Sequence, residues 1–245
     1  MSFTEERALW LHQHYLWLEA NLPRRVSRPA YEIILPTATH FPMRNTRDHA
    51  FATAIFGRIK ELMGIADWPC DLLPHHAAEA TLQKALAESN PWGGFQPGAG
   101  AAGLFSSGER VVIRYAPDLL KEPVALVSVL AHELCHYLNA CVATEPPASW
   151  KELEPLTDLA AVVEGFGVFL CNAAFGFKQY TQVDRQGWRS NRRGYLNEAE
   201  LGYSLGIFCV HHHIDPDLIG GHLKLNPQEV FYDSIGYIEE LEQAK

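Results

Sequence analysis

The chain has few cysteines, and they do not come in pairs. Five cysteines, an odd number, are spread over 245 residues, and no two of them form a C-x-x-C motif. Small secreted domains that depend on disulfide bonds carry an even number of cysteines at close spacing. The sequence therefore argues against such a domain and indicates a reducing compartment, which we expect to be the cytoplasm.

A strong positive charge is also absent. The chain has 20 Lys and Arg against 29 Asp and Glu, which gives a formal net charge of −9 at pH 7. Proteins that bind nucleic acids usually present a basic patch to the phosphates. The densest basic stretch, Arg185–Arg193, has the composition of a solvated surface loop. We therefore expect no nucleic-acid partner.

Long uncharged apolar segments are scarce as well. Positions 5–7 are charged, so the N-terminus lacks the apolar region of a signal peptide. The longest apolar run, Leu159–Phe177, contains Glu164, and a carboxylate in the middle of a membrane span is costly. We therefore expect this run to be a buried helix of a protein with no membrane partner.

The pattern of apolar residues predicts a mainly helical α+β fold with a small mixed or antiparallel sheet. Helices are expected at about 4–20, 46–63, 77–89, 124–140, 156–174, 197–211 and 227–242, and short strands at 31–35, within 69–74 and at 111–115. Thr46 and Asn197 are expected to cap helices, and Gly64 to end one. Residues 90–103 are rich in glycine and form a predicted surface loop. No internal repeat or clean linker is present, so we expect one domain over residues 1–245.

One stretch carries recognisable chemistry, because residues 132–136 read His-Glu-Leu-Cys-His, the H-E-x-x-H pattern. His132 and His136 are four residues apart, so on a helix both rings project from one face and can bind one metal ion. Glu133 lies beside that face, where it can take a proton from a metal-bound water. The alternative is two core histidines that bond to neighbouring groups. The apolar helical pattern of 124–140 favours a metal site, because a buried imidazole needs a partner.

Further along, the sequence resembles the gluzincins, a superfamily of zinc peptidases that includes thermolysin. Glu154 follows His136 by 18 residues, and Asp158 follows four residues later, which matches the E-x-x-x-D arrangement of that superfamily. The resemblance implies a zincin-like fold in which His132, His136 and Glu154 bind Zn²⁺. It also implies that Asp158 accepts a hydrogen bond from His132, which would fix the tautomer of that imidazole.

The chain also resembles an uncharacterised group of bacterial zincin-like proteins. The shared motifs are A-H-E-L-x-H-x-L at 131–138, E-P-L-T-D-L at 154–159 and L-P-T-x-x-x-F-P at 35–42. These motifs extend the resemblance over most of the chain. The group has no known activity, so it implies a fold and adds nothing about the reaction.

One position departs from the gluzincin pattern. Pro155 follows Glu154, and a residue before proline is disfavoured in helical geometry. A helix that begins at Pro155 would leave Glu154 outside and make Asp158 a candidate for the third ligand. Ser149–Glu152 has the form of a capping box, which would start the helix earlier. The choice among Glu152, Glu154 and Asp158 therefore stays open, and the resemblance favours Glu154.

Together these residues predict a zinc-dependent hydrolase, a metallopeptidase with a peptide or protein substrate and Glu133 as general base. Tyr195, Tyr203 or a histidine are candidates to stabilise the oxyanion. A histidine from 211–213, or His222, is a candidate to approach the metal site. Two alternatives remain: a non-enzymatic zinc-binding regulatory protein on a zincin scaffold, and a zinc amidohydrolase that acts on a non-peptide substrate. Glu133 argues against the first, because a purely structural metal site has no use for a base.

Overall fold

The computed structural model describes residues 3–23, 31–41, 46–74, 111–147, 152–180 and 196–243. Several features expected from the sequence lie outside these ranges and stay predictions. They are the helix at 77–89, the glycine-rich loop at 90–103, Ser149 of the expected capping box, the basic stretch Arg185–Arg193, and Tyr195.

The described residues form a mainly helical α+β fold, as the sequence predicts. The elements in chain order are α1 (Glu5–Asn21), α2 (His49–Leu62), β1 (Cys70–Pro74), β2 (Val111–Tyr115), a 3₁₀ helix (Pro117–Lys121), α3 (Pro123–Ala140), α4 (Leu153–Ala161), a π-helical turn (Val162–Phe166), α5 (Gly167–Tyr180), α6 (Glu198–His211), α7 (Pro216–Gly220) and α8 (Leu225–Gln243). Chain contacts group these elements into two compact units. The expected single domain over residues 1–245 stays a prediction.

One unit comprises Asn21–Pro29 and Met43–Glu145, and it contains the small sheet. Strands β1 and β2 pair in parallel, with Cys70 opposite Val111. The expected small sheet is present, and the two described strands differ from the expected mixed or antiparallel pairing only in that they run parallel. The connection over 75–110 is long enough for the crossover that parallel strands require, whereas an antiparallel hairpin needs only a short turn. Helix α3 packs against both β2 and α2 in this unit.

Helix α2 begins and ends at residues whose chemistry suits those positions. The side chain of Asp48 accepts a hydrogen bond from the Phe51 N–H, which satisfies one of the free donors of the first turn. The expected cap, Thr46, lies two residues too early. Gly64 follows the C-cap residue Met63 with a φ of +71°, and this confirms the expected helix end, because glycine adopts that conformation at little cost.

The other unit comprises Met1–Ala20, Ala30–Pro42 and Pro146–Lys245. Its most extensive packing joins α6 to α8, and α5 also packs against α6. Helix α6 begins with a capping box, because Asn197 accepts from the Glu200 N–H while the Glu200 carboxylate accepts from the Asn197 N–H. The expected Asn197 cap is confirmed.

A π-helical turn interrupts the helix that the sequence predicts over 156–174. Gly165 within this turn has a φ of +89°, and a Cβ atom there would overlap the main-chain oxygen of Glu32. The Ile34 N–H donates to the Gly165 carbonyl over 2.9 Å. Residues 31–35 were expected to form a strand and do not, because this main-chain partner belongs to a helix rather than to another strand.

The helical stretch Leu153–Ala174 is long and apolar enough to cross a membrane by length and composition alone. Its mean hydropathy over 18 residues is 1.4, and all of that window is buried inside the structure. The core helix of a globular protein passes the same test, so the stretch is weak evidence for a span.

Candidate metal centre

The two motif histidines lie on successive turns of α3 and direct the same ring atom toward each other. Their Nε2 atoms are 3.1 Å apart, and the two ring planes are nearly perpendicular at 84°. His132 is buried, and His136 is half-buried. Leu130, Leu134 and Leu138 are fully buried on the same helix, so the apolar core fixes the rotation of α3 and with it the direction of both rings.

The separation of the two Nε2 atoms agrees with a shared metal ion. Tetrahedral zinc holds imidazole nitrogens at about 2.0–2.1 Å, which places two such nitrogens about 3.3 Å apart. The observed 3.1 Å is close to that value. The pair therefore has the spacing that a zinc ion needs for two of its ligands.

Glu133 is the residue of the motif that was expected to act as general base, and that role stays a prediction. It follows His132 directly on α3, and its side chain is half-buried. Within the part of the chain that the structure describes, its carboxylate has no hydrogen-bond or ion-pair partner. A carboxylate that is partly desolvated and not engaged by a cation can accept a proton from a nearby water.

Glu154 lies in the first turn of α4, because that helix begins at Leu153. Pro155 also falls in this first turn, where a missing N–H removes no intrahelical hydrogen bond and causes no kink. The alternative in which the helix begins at Pro155 and leaves Glu154 outside was therefore wrong. Glu152 occupies the N-cap position and provides no side-chain cap.

The expected ligand set draws on both compact units, because His132 and His136 belong to one and Glu154 to the other. The choice of Glu154 over Glu152 or Asp158 as third ligand therefore stays a prediction. Two imidazoles and one carboxylate are the donor set of many catalytic zinc sites, which keep a fourth position for water or substrate. The donor types present therefore fit zinc.

Asp158 lies one helical turn after Glu154 on α4, and its side chain is only 7% exposed. Its Oδ2 atom accepts a hydrogen bond from the main-chain N–H of Leu196 over 3.0 Å. Nothing in the sequence indicates this contact, because a main-chain donor carries no residue signature and Leu196 lies 38 residues away. Leu196 is the residue of this region that sequence reasoning missed.

Tyr203 is poorly placed to stabilise an oxyanion. Its side chain is 1% exposed, and its ring packs against Phe3 and Tyr237. Burial raises the pKa of Tyr203 to about 12. A hydroxyl that is enclosed in this way has almost no surface to offer a substrate. The other tyrosine candidate, Tyr195, lies outside the described residues.

Two histidines at the C-terminal end of α6, His211 and His212, contact the carboxylate of Glu19. His211 Nε2 lies 2.7 Å from Glu19 Oε2, and His212 Nε2 lies 3.3 Å from Glu19 Oε1. Imidazoles are favourable at this end of a helix, where the main-chain carbonyls carry partial negative charge. These contacts tie α1 to α6 and account for both side chains. His213 is exposed, and His222 is half-buried.

Comparisons with known proteins provide no family assignment. No protein-family model, no curated protein and no solved structure matches the chain. The resemblance to gluzincins therefore rests on the motifs alone.

Proposed function

We propose that the protein is a zinc-dependent hydrolase, a metallopeptidase that cleaves peptide bonds. The observation that carries the proposal is the approach of His132 Nε2 and His136 Nε2 to 3.1 Å on one face of α3. We propose Glu154 as the third ligand, because it lies in the first turn of α4 at the position that the E-x-x-x-D motif gives to a ligand. This donor set favours a site with an open fourth position over a closed structural site.

We assign the proton transfers to Glu133. When bound, zinc would polarise the substrate carbonyl and lower the pKa of a water molecule at the site. Glu133 accepts the proton of the attacking water and then donates it to the leaving amine. Its half-buried carboxylate has no partner within the described ranges and is available for both steps. This availability weighs against a non-enzymatic zinc-binding protein.

The proposed substrate is a peptide or protein, because the H-E-x-x-H pattern with a downstream Glu is that of the peptidases which the chain resembles. We propose no nucleic-acid or membrane partner. None of the five cysteines, all of which lie in described residues, is part of a disulfide. This supports the proposed cytoplasmic location, where thiols stay reduced.

Metal analysis and a substrate screen test the proposal. Mass spectrometry should find about one zinc per chain in the wild type and in the exposed control Glu229→Gln, and much less in His136→Ala. The wild type should cleave members of a peptide library, and chelation should abolish the cleavage until zinc is added back. A wild type that takes up no zinc on titration would overturn the metal site. Zinc binding with cleavage of small non-peptide amides only would favour an amidohydrolase, and no cleavage at all would favour a binding protein.

A further inference from the structure

Residues around the start of α1 and in the second half of α8 line an open cavity of about 640 Å³, which lies within one compact unit. This volume falls in the range of pockets that hold small molecules. The lining includes Gly236, where an added Cβ would meet nothing within 4 Å, so the space beside this glycine is open. Six of the lining side chains are aromatic or acidic, and they are Phe3, Glu5, Tyr232, Asp233, Tyr237 and Glu240.

The aromatic rings of the cavity are held in place by other side chains. The buried ring of Tyr203 packs edge-on against Phe3 at a centroid distance of 5.3 Å, and its centroid lies 6.3 Å from that of Tyr237. The hydroxyl of Tyr232 donates a hydrogen bond to the Asp217 carboxylate over 2.9 Å. Because rings fixed in this way need little further ordering, a ligand loses less free energy when it binds against them.

The charges of the cavity all have the same sign. None of the described residues that line it is basic, and within the described ranges its three carboxylates have no ion-pair or hydrogen-bond partner. Glu5 and Glu6 lie in the first turn of α1 and offset the partial positive charge of that helix end. Glu240 lies in the last turn of α8, which has no basic residue. The main-chain carbonyls there carry partial negative charge, so a carboxylate at this end is unfavourable until a cation approaches.

The charge and the lining of the cavity together favour an organic cation. Aromatic faces attract an ammonium group and also contact the methylene groups beside it. A carboxylate accepts a charge-assisted hydrogen bond from an N–H of the same ammonium group. Within the part of the chain that the structure describes, the three carboxylates of the cavity do not lie close enough together to share one metal ion. An amine with a chain of methylene groups therefore fits better than a bare metal ion, because it can reach carboxylates that lie apart.

We propose that this cavity is a binding site for an aliphatic amine, in which the carboxylates pair with the ammonium groups and the aromatic rings contact the methylene chain. Every contact that supports the site lies within one compact unit, and the motif histidines His132 and His136 belong to the other. Amine binding is therefore independent of the proposed hydrolase activity.

A matched pair of ligands tests whether the cavity recognises charge. Titration of the full chain with 1,5-diaminopentane should give saturable shifts of the amide resonances of 232–240, with a dissociation constant of about 1 mM or lower. The neutral 1,5-pentanediol has the same length, and it should bind about tenfold more weakly or not at all. Calcium chloride controls for screening by charge alone and should not reproduce these shifts.

Three variants locate the binding. Gly236→Leu places a side chain in the open space of the cavity and should weaken diamine binding by about tenfold or more. Asp233→Asn combined with Glu240→Gln keeps the size of both side chains and removes two charges, which should weaken binding by about tenfold. Glu229→Gln removes a charge from α8 outside the cavity lining and should leave binding unchanged. Circular dichroism on each variant is the control for folding.

The outcomes are distinguishable. Equal binding of the diamine and the diol would overturn the proposal, because the carboxylates would then not select the ligand. The absence of saturable diamine binding, unchanged binding in Gly236→Leu, or equal shifts with calcium chloride would overturn it as well. The titrations need no zinc, so a protein that binds the diamine but no zinc would refute the proposed function and leave the amine site intact.

Discussion

The Nε2 atoms of His132 and His136 lie 3.1 Å apart on successive turns of α3. Two imidazole nitrogens at this distance either share a proton or hold a cation between them. If they hold zinc, protons compete with the metal for both nitrogens. We therefore expect zinc affinity to fall markedly from pH 7.5 to pH 5.5 in competition titrations with a chelator of known affinity. The same affinity at both pH values would contradict the assignment of these nitrogens as ligands.

Replacing the proposed base should separate metal binding from turnover. Glu133→Gln keeps the size of the side chain but cannot accept a proton, so we expect normal zinc content and a fall in kcat of about 100-fold or more. Zinc content and peptide cleavage should be measured on the same preparation. Glu229→Gln, an exposed change of the same kind on α8, should leave both unchanged. Activity in Glu133→Gln equal to that of the wild type would refute the assignment.

The two carboxylates of α4 should differ in their effect on the metal. Glu154→Ala removes a proposed ligand and should prevent stable zinc binding. Asp158→Asn removes only a charged support and should weaken zinc by about 10–100-fold. Isothermal titration with zinc, with circular dichroism as the control for folding, gives both values. A larger loss in Asp158→Asn than in Glu154→Ala would reverse the roles of the two residues.

A methyl group at Gly165 should be strongly destabilising. Alanine at a φ of +89° is strained, and its Cβ would also overlap the main-chain oxygen of Glu32. We expect Gly165→Ala to lower the free energy of unfolding by about 2–4 kcal/mol. Gly236→Ala is a matched control, because a Cβ at this position on α8 meets nothing within 4 Å. Urea unfolding that shows equal stability for the two variants would contradict the close approach at Gly165.

The free energy of unfolding should fall at alkaline pH. Burial raises the pKa of the Cys171 thiol from 9.0 to about 12, and that of Tyr203 from 10.0 to about 12. Above pH 9 the unfolded chain loses these protons first, so it binds fewer protons than the folded chain and stability decreases with pH. The contribution is fully present below pH 9 and is lost as the pH rises toward 12.

Cys171→Ala tests this dependence. The variant should be less stable than the wild type at pH 7.5, because a buried side chain has been truncated. It should also lose less further stability between pH 7.5 and pH 10.5, because one of the groups that titrate has been removed. Urea midpoints for both proteins at both pH values give the comparison. An equal pH-dependent loss in the two proteins would show that the Cys171 thiol does not contribute.

Local patterns were sufficient to predict α3 and its histidine pair. The leucines of that helix recur with the period of an α-helix, and the histidines share a face because of their spacing alone. Asn197 was identifiable as a cap for the same reason, since its partner Glu200 is three residues away. Each of these features depends on residues within one or two turns of one another.

The features that were missed depend on main-chain groups from distant parts of the chain. The Leu196 N–H reaches Asp158, and the Ile34 N–H reaches the Gly165 carbonyl, but a main-chain donor has no signature in the sequence. The apolar residues at 33–35 are buried as a strand would be, yet their main-chain partner is a π-helical turn. The parallel pairing of β1 and β2 likewise depends on a long connection rather than on the residues of the strands.

The π-helical turn also affects how α4 and α5 are oriented. Successive residues of an α-helix are rotated by about 100° about its axis, so one extra residue in a turn rotates every later side chain about that axis. Gly165 in this turn has a φ of +89°, which is not helical, so the main chain bends between α4 and α5. The bend separates the direction of α4, which carries Glu154 and Asp158, from that of α5, where Gly167 packs against Leu205. The turn thus lets two helices that follow each other in the chain be oriented independently, one for the proposed chemistry and one for the core.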